Sequence, residues 1–411
     1  MTRAAAVLAG LDAITSWQED LYRHLHAHPE LSFQEEETVS LITERLTAMG
    51  YAVQAVGGGV VGVLDNGPGP VVLFRADIDA LPVTEATGLD YASTATATGP
   101  DGTTVGVMHA CGHDAHITAL LGAADLLAAG REQWSGTFVA LFQPAEEVGK
   151  GARSMVDDGL VDKVPRPDVC LGQHVLPAPA AGHVAASPGP VLSAGTSMRI
   201  TVHGKGSHGA MPHLGVDPVV VAASIVLRLQ TIVARELAPG EFGVVTVGSV
   251  QAGTKANIIP AEAVLLVNTR AYAEDTREKI SAAVERIVRG ECAAAGCPAE
   301  PEIEVIESFP LTDNDPATTA RVTEALVEHL GADRVHELGR IPASEDFSVI
   351  PDAFGVPYAY WGFGGFTADQ TPVANHNPAF APAIQPTLRT GTESAVVASL
   401  AFLGEPGREQ R

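Results

Sequence analysis

Apolar residues recur at helical spacing from Ile14 to His28 and from Glu35 to Met49, and Gly50 closes the second run as a C-terminal cap. The earlier apolar run from Ala4 to Leu11 is broken by Asp12 and has no small-residue cleavage site after it, so it predicts the first turns of a helix. Val60 to Leu64 and Val71 to Arg75 predict strands around the turn Asn66-Gly67-Pro68-Gly69-Pro70. An Ala/Leu-rich helix from roughly His116 to Ala129 and a strand from Thr137 to Phe142 follow. This alternation predicts an α/β fold with a mainly parallel sheet and helices on both faces.

The pattern changes near Met198. Met198 to Val202, Asp217 to Leu237, Gly243 to Val250, Ala263 to Arg270, Thr276 to Ala295 and Glu302 to Ser308 read as strand, helix, strand, strand, helix, strand. That order is a split βαβ, ferredoxin-like α+β module. Helical Ala317 to Leu330 and strand-like Tyr358 to Gly362 then resume the earlier pattern. The module is therefore expected as an insertion: a first catalytic part at 1–190, a lid at 191–308 and a second catalytic part at 309–411. Its base would lie at Pro188-Gly189-Pro190 and near Pro310. No tandem repeat or low-complexity tract interrupts the chain.

At 411 residues the chain exceeds the size at which single cores stop growing. Its 49 acidic against 25 basic residues give a formal net charge of −24, which argues against a nucleic-acid or anionic-membrane surface. No run of 18 or so uncharged apolar residues is apparent, so no membrane span is expected. Cys111, Cys170, Cys292 and Cys297 are too few and too scattered for a disulfide framework, and a reducing cytoplasm is expected.

The chemistry concentrates where strands of the expected sheet end. His109-Ala110-Cys111-Gly112-His113-Asp114-Ala115-His116 puts a thiol and an imidazole two residues apart on a Gly-loosened loop, a spacing able to grip one metal ion. Alone, the pair is equally a buried thiol beside an imidazole. Adjacent acids such as Glu35-Glu36-Glu37 usually form a solvated helix face. Glu146-Glu147 instead follows the apolar strand Phe138 to Phe142 and a proline, where a loop can give one acid to a metal and the other to a water. His174, at the end of Val169-Cys170-Leu171-Gly172, and His376, in Asn375-His376-Asn377-Pro378, are further candidate ligands, although each alone could be structural.

These residues carry a resemblance. Arg75-Ala76-Asp77-Ile78-Asp79-Ala80-Leu81-Pro82, the His109 to His116 block, Phe142 to Glu147, Gln173-His174-Val175, Gly204 to His208, Asn257-Ile258-Ile259-Pro260, Ser344-Glu345-Asp346-Phe347 and Asn375 to Phe380 occur in family order. The chain resembles the metallo-aminoacylase and zinc-type exopeptidase family (clan MH), in the amidohydrolase branch with hippurate hydrolases and hydrolases of indole-acetyl amino acids. Those blocks span nearly the whole chain.

The resemblance implies a dinuclear site for two divalent ions (zinc, manganese, cobalt or nickel). Cys111 would bridge them, with Glu147 and His376 on one ion and His113 and His174 on the other. It implies Glu146 as general base, with Asp79 in support. Where relatives carry a metal-binding His two residues before that Asp, this chain has Asp77, and His113 is inferred to supply the missing imidazole. For Asp77, turn or cap chemistry is an equal alternative. His208 would approach the scissile carbonyl, in its own or the partner subunit. Asn257 and Arg270 would hold the substrate carboxylate or oxyanion. In Gly362-Phe363-Gly364-Gly365, backbone donors around Gly364 offer a second carboxylate receptor. Met108, His109, His213 and Glu345 would brace the site, as would Asp114 and His116.

The implied reaction is hydrolysis of a small N-acyl amino acid to a carboxylate and a free amino acid, with the chain a homodimer through its lid. The alternatives are an exopeptidase acting on short peptides and, in another class, a non-catalytic metal-dependent binding protein, against which the intact Glu146 argues.

Overall fold

The structure, a computed structural model, describes residues 2–98 and 102–406. A short helix Arg3–Val7 and a 3-10 turn Leu8–Gly10 lead into α1 (Leu11–Ala27). Next come α2 (Glu36–Ala48), β1 (Ala52–Val56), β2 (Gly59–Asn66), β3 (Val71–Asp77), α3 (His113–Ala129), β4 (Gly136–Gln143), β5 (Val169–Ala180) and β6 (Val184–Ala185). A second group follows: β7 (Ala194–His203), α4 (Pro218–Thr231), β8 (Gly243–Ala252), β9 (Glu262–Ala271), α5 (Glu274–Ala295) and β10 (Glu302–Phe309). The chain ends with α6 (Pro316–Leu330), β11 (Val335–His336), β12 (Tyr358–Phe366) and α7 (Ile384–Phe402).

Two compact units result. One comprises residues 1–189, 313–339 and 346–411, and the other 190–312 and 340–345. The return of Arg340–Glu345 to the inserted unit is absent from the sequence reading, because six residues without periodicity carry no pattern.

The first unit holds an eight-stranded sheet in the order β1-β2-β4-β3-β5-β12-β6-β11, with β4, β3, β5 and β12 mutually parallel. Such strands are covered on both faces, so Val72-Leu73-Phe74 and Phe138 to Phe142 are continuous apolar runs that are fully buried. Burial of each large side chain stabilises the fold by roughly 1.5–3 kcal/mol. Register decides which loops meet: Asp77 pairs with Gln143, and Arg75 with Gly172. The ends of β3 and β4 and the His174 region of β5 therefore converge at one sheet edge.

The second unit is an antiparallel sheet in the order β8-β9-β7-β10, the ferredoxin-like arrangement. Met198, Ile200, Leu265 and Val267 pack there with Ile225, Leu229, Ile280 and Val284 of the two helices. With its π-helical continuation Ile232–Glu236, α4 is long and apolar enough to cross a membrane by length and composition, at a mean hydropathy of 1.5. Ser224, Arg228 and Gln230 interrupt it, so it contains no unbroken apolar run of spanning length. In the structure Val221, Ala222, Ile225, Leu229 and Ile232 fill the unit's core, whereas Val220 and Leu227 are exposed.

A buried charge cluster ties α1 to α3. His26, 1% exposed, bonds through Nδ1 to Asp114 Oδ2 (2.7 Å) and through Nε2 to Glu85 Oε1 (3.1 Å). Burial works against its charge, but the bonds to Asp114 and Glu85 outweigh it and raise His26 to about 10. A folded value above the ordinary 6.5 means that this stabilisation is fully present below about pH 6.5 and is lost as pH rises through about 10. His26→Gln should therefore cost about 3–5 kcal/mol near pH 6, and progressively less toward pH 10. Denaturant unfolding of both proteins across that range checks this; a deficit that grows with pH would contradict it.

Candidate metal centre

Gly112 adopts φ +82° immediately before α3, and a Cβ there would lie 2.3 Å from Val175 Cγ1. Only glycine combines that backbone with that approach. The turn lets the helix begin at His113, three residues earlier than periodicity predicts, and brings Cys111 and His113 to the sheet edge.

Cys111, Glu147 and His376 each offer a donor atom within 4.8 Å of the others. Cys111 Sγ lies 3.4 Å from His174 Nε2, and His376 Nε2 lies 3.4 Å from Glu147 Oε2. His174 Nδ1 donates to the Val175 carbonyl (2.7 Å), which leaves the Nε2 lone pair facing the thiol. His376, 56% exposed and at φ +68°, is held by its own N–H, which donates to the Ala110 carbonyl (2.8 Å). His113 Nε2 lies 3.8 Å from Glu147 Oε1. The five expected ligands thus share one edge of the first unit.

Asp77 and His116 gather with His113 and His174 in a second cluster, yet their donor atoms are already engaged. His116 Nδ1 bonds Asp77 Oδ1, and His116 Nε2 accepts the Val175 N–H (2.8 Å). Arg75 Nη1 donates to Asp77 Oδ2 (2.8 Å) and Arg75 Nε to Gln143 Oε1 (2.9 Å), while Asp346 Oδ1 accepts from Gln143 Nε2 (2.6 Å). Asp77 is therefore a buried counter-charge, and the turn alternative is set aside. An arginine inside an otherwise apolar strand was the signal, because a buried guanidinium demands paired anions. Asn375, whose sequence context beside His376 carries no signal of its own, donates to the carbonyls of Cys111 (3.2 Å) and Val175 (3.3 Å).

Asp79 organises the acids. Its Oδ1 accepts the Glu146 N–H and its Oδ2 the Glu147 N–H, each at 3.1 Å. Ser32 Oγ donates to Oδ2 (2.6 Å), and His113 Nδ1 makes a 3.3 Å contact with Oδ1. Glu146, 6% exposed, has a carboxylate oxygen within 4.8 Å of donor atoms of His113 and Glu147.

The donor set fits divalent cations. Both ring nitrogens of His113 and Glu147 Oε1 are buried without a hydrogen bond. Burial, then Glu147, Glu146 and Asp77, pushes the Cys111 thiol far up, and burial pushes Glu147 up to about 8 with Asp79 adding to the effect. Burial opposes charge on His113, but Asp77, Asp79 and Glu147 outweigh it and raise it to about 10. Burial holds His174 far below 6.5. Acids and a thiol gathered out of water in this way are short of positive charge, which bound cations would supply.

The remaining candidates fall elsewhere. His208, Asn257 and Arg270 belong to the inserted unit. There, Ser207–His208 pairs with Ile258–Ile259, and the Asn257 carbonyl accepts the Gly209 N–H (2.8 Å), so His208 and Asn257 are neighbours. Arg270 bonds Ser344 Oγ and Asn268 Oδ1. Gly364 is corrected: its N–H donates to the His183 carbonyl (3.0 Å), and a Cβ there would lie 2.1 Å from the Ala180 carbonyl oxygen. This glycine serves close strand packing, and its donor is not available to a carboxylate. Met108 is bridged to Leu81, His109 is buried, and His213 is exposed in the inserted unit.

Residues 73–396 match the profile of Peptidase family M20/M25/M40. The chain belongs to that family. Among members, the N-acetyl-L-cysteine deacetylase of Bacillus subtilis is 34% identical over 362 residues, 85% of this chain and 83% of its own. Thermostable carboxypeptidase 2 of Saccharolobus solfataricus is 35% identical, over 82% of this chain and 83% of its own. The solved Bacillus subtilis YXEP protein, described as a dinuclear metal binding peptidase of the M20 family, superposes with a TM-score of 0.77 at 29% identity, covering 95% of this chain and 98% of its own. The chain is thus a metal-dependent hydrolase of the M20 family, on the mixed, largely parallel sheet expected of it.

Gly112→Ala should lower metal affinity about 10–100-fold and destabilise the fold by about 1–3 kcal/mol. Metal titration and denaturant unfolding check both, and a variant that loads metal normally would contradict the role given to this turn.

Proposed function

We propose that the chain hydrolyses the amide bond of N-acylated amino acids, releasing a carboxylate and a free amino acid. The observation that carries this reading is the buried Glu146, its backbone gripped by the Asp79 carboxylate that also grips Glu147, beside the Cys111, Glu147 and His376 donors. The deacetylase relative supports an acylated amino acid as substrate.

In this reading Cys111 would be common to two ions, with Glu147 and His376 holding one and His113 and His174 the other. When bound, the cations supply Lewis acidity toward a water and the scissile carbonyl. A thiolate ligand would suit zinc, cobalt or nickel, and the carboxylate ligand would also suit manganese. Glu146 takes the proton of the attacking water and returns it to the departing amine nitrogen. Asp79 keeps Glu146 and Glu147 in one orientation and contacts the His113 ring, while Asp77 and His116 brace the loop behind. His208, Asn257 and Arg270 of the inserted unit are assigned to the substrate carbonyl and carboxylate. The exposed apolar face of α4 and its π-helical continuation, with Val219, Val220, Leu227 and Val233, supports a homodimer through the lid. All four cysteines are free thiols, which suits a reducing cytoplasm.

The carboxypeptidase relative favours a second reading, an exopeptidase acting on short peptides. A panel of N-acetyl-amino acids, N-benzoyl-amino acids and dipeptides separates the two, and cleavage of dipeptides alone would reject the first. Glu146→Gln should retain two ions per chain and lose turnover by about 10²–10⁴-fold, whereas Cys111→Ala should lose bound metal by elemental analysis. Near-normal turnover in Glu146→Gln would overturn the assignment of the base.

A further inference from the structure

Glu35 stands in an acidic run that reads as a solvated helix face, yet its side chain is only 4% exposed. It immediately precedes α2, and its carbonyl accepts the Val39 N–H (2.9 Å) at the start of that helix. Its Oε1 accepts the Ala145 N–H at 2.8 Å. Ala145 is the residue before Glu146 and sits at φ +49°, ψ +40°, a left-handed conformation that non-glycine residues seldom adopt. The other side of the same residue is also held: its carbonyl accepts the Gly151 N–H (3.1 Å), and Gly151 packs so closely on Pro144 that a Cβ there would lie 1.5 Å from the Pro144 carbonyl oxygen. The reversal at Ala145 directs the chain out of β4 and into the Glu146-Glu147 turn. Burial, then the nearby Asp79 charge, pushes Glu35 up to about 7. A buried carboxylate beside other acids is costly to keep, and one of its backbone partners is the strained Ala145 peptide.

We propose that Glu35 is a positioning residue for the acid-base step: by holding the Ala145 N–H it maintains the left-handed turn that sets the aim of Glu146. This rests on the reading of Glu146 as the base. Backbone N–H groups of Glu35 itself and of Phe33 also reach this carboxyl, but its link to Glu146 runs through the Ala145 peptide. Two consequences distinguish that route from general stabilisation. The neutral amide of Gln still presents an acceptor oxygen to Ala145, so charge is dispensable and the acceptor is not. Glycine at position 145 adopts positive φ without penalty, so it reduces the need for the clamp.

The experiment compares Glu35→Ala, Glu35→Gln, Ala145→Gly and the Glu35→Ala/Ala145→Gly pair on an N-acetyl-amino acid, with bound metal and unfolding midpoint measured for each. Glu35→Ala should lower kcat about 10–100-fold, with KM nearly unchanged and two ions still bound. Glu35→Gln should stay within about 3-fold of the parent, and the double variant should regain about 10-fold over Glu35→Ala. Unchanged kcat in Glu35→Ala, a Gln variant as slow as the Ala variant, or no recovery in the pair would each overturn the proposal. So would a loss of kcat that simply follows lost metal or a lowered midpoint. Glu146→Gln run alongside separates the two claims: turnover surviving there overturns the base assignment and this inference with it. Turnover lost there but intact in Glu35→Ala overturns this inference alone.

Discussion

Like charges drawn out of water repel one another and lose hydration, and this protein gathers Asp77, Asp79, Glu146, Glu147 and the Cys111 thiol at one buried sheet edge. Each needs a compensating partner. Arg75 and His116 take Asp77. Backbone N–H groups and Ser32 take Asp79. What is left without a hydrogen bond, His113 and one oxygen of Glu147, is the surface that cations would complete.

The fold meets this constraint with register and two backbone reversals. Parallel pairing sets Asp77 opposite Gln143 and Arg75 opposite Gly172, which brings three chain segments to one edge. Left-handed turns at Gly112 and Ala145 then bend the loops after Met108 and after β4 toward each other. Regular strands and helices alone would carry Cys111 and Glu147 away along their own axes. Val175 packs closely on Gly112, and the strain at Ala145 is held by Glu35 and Gly151.

Much of this was legible in the residue pattern. Apolar periodicity placed the strands that meet at the site, the βαββαβ order of the insertion, and α6, because these elements bury one face or both and so leave a regular signature. Other features had no local signature. The start of α3 at His113 depends on a turn that only Gly112 can make, which helical spacing does not register. Glu35 looked solvated because its burial comes from a loop more than a hundred residues away. Gly364 looked like an anion receptor because glycine in a strand marks close approach of something, and here that something is the Pro179-Ala180 backbone. The apolar character of α4 was obscured by isolated polar residues on its outer face. Long-range partners decide each of these cases, and single-chain periodicity carries no information about them.

The proposed function requires that Cys111 serve two ions in a single site. Titrating the metal-free protein with cobalt(II), with near-ultraviolet absorption and N-acetyl-amino-acid hydrolysis followed together, tests it most directly. The expected result is a thiolate-to-cobalt charge-transfer band that saturates, with activity, only at two cobalt ions per chain, and that is absent in Cys111→Ser. A protein that reaches full activity with one ion, or with two ions and no such band, would contradict it.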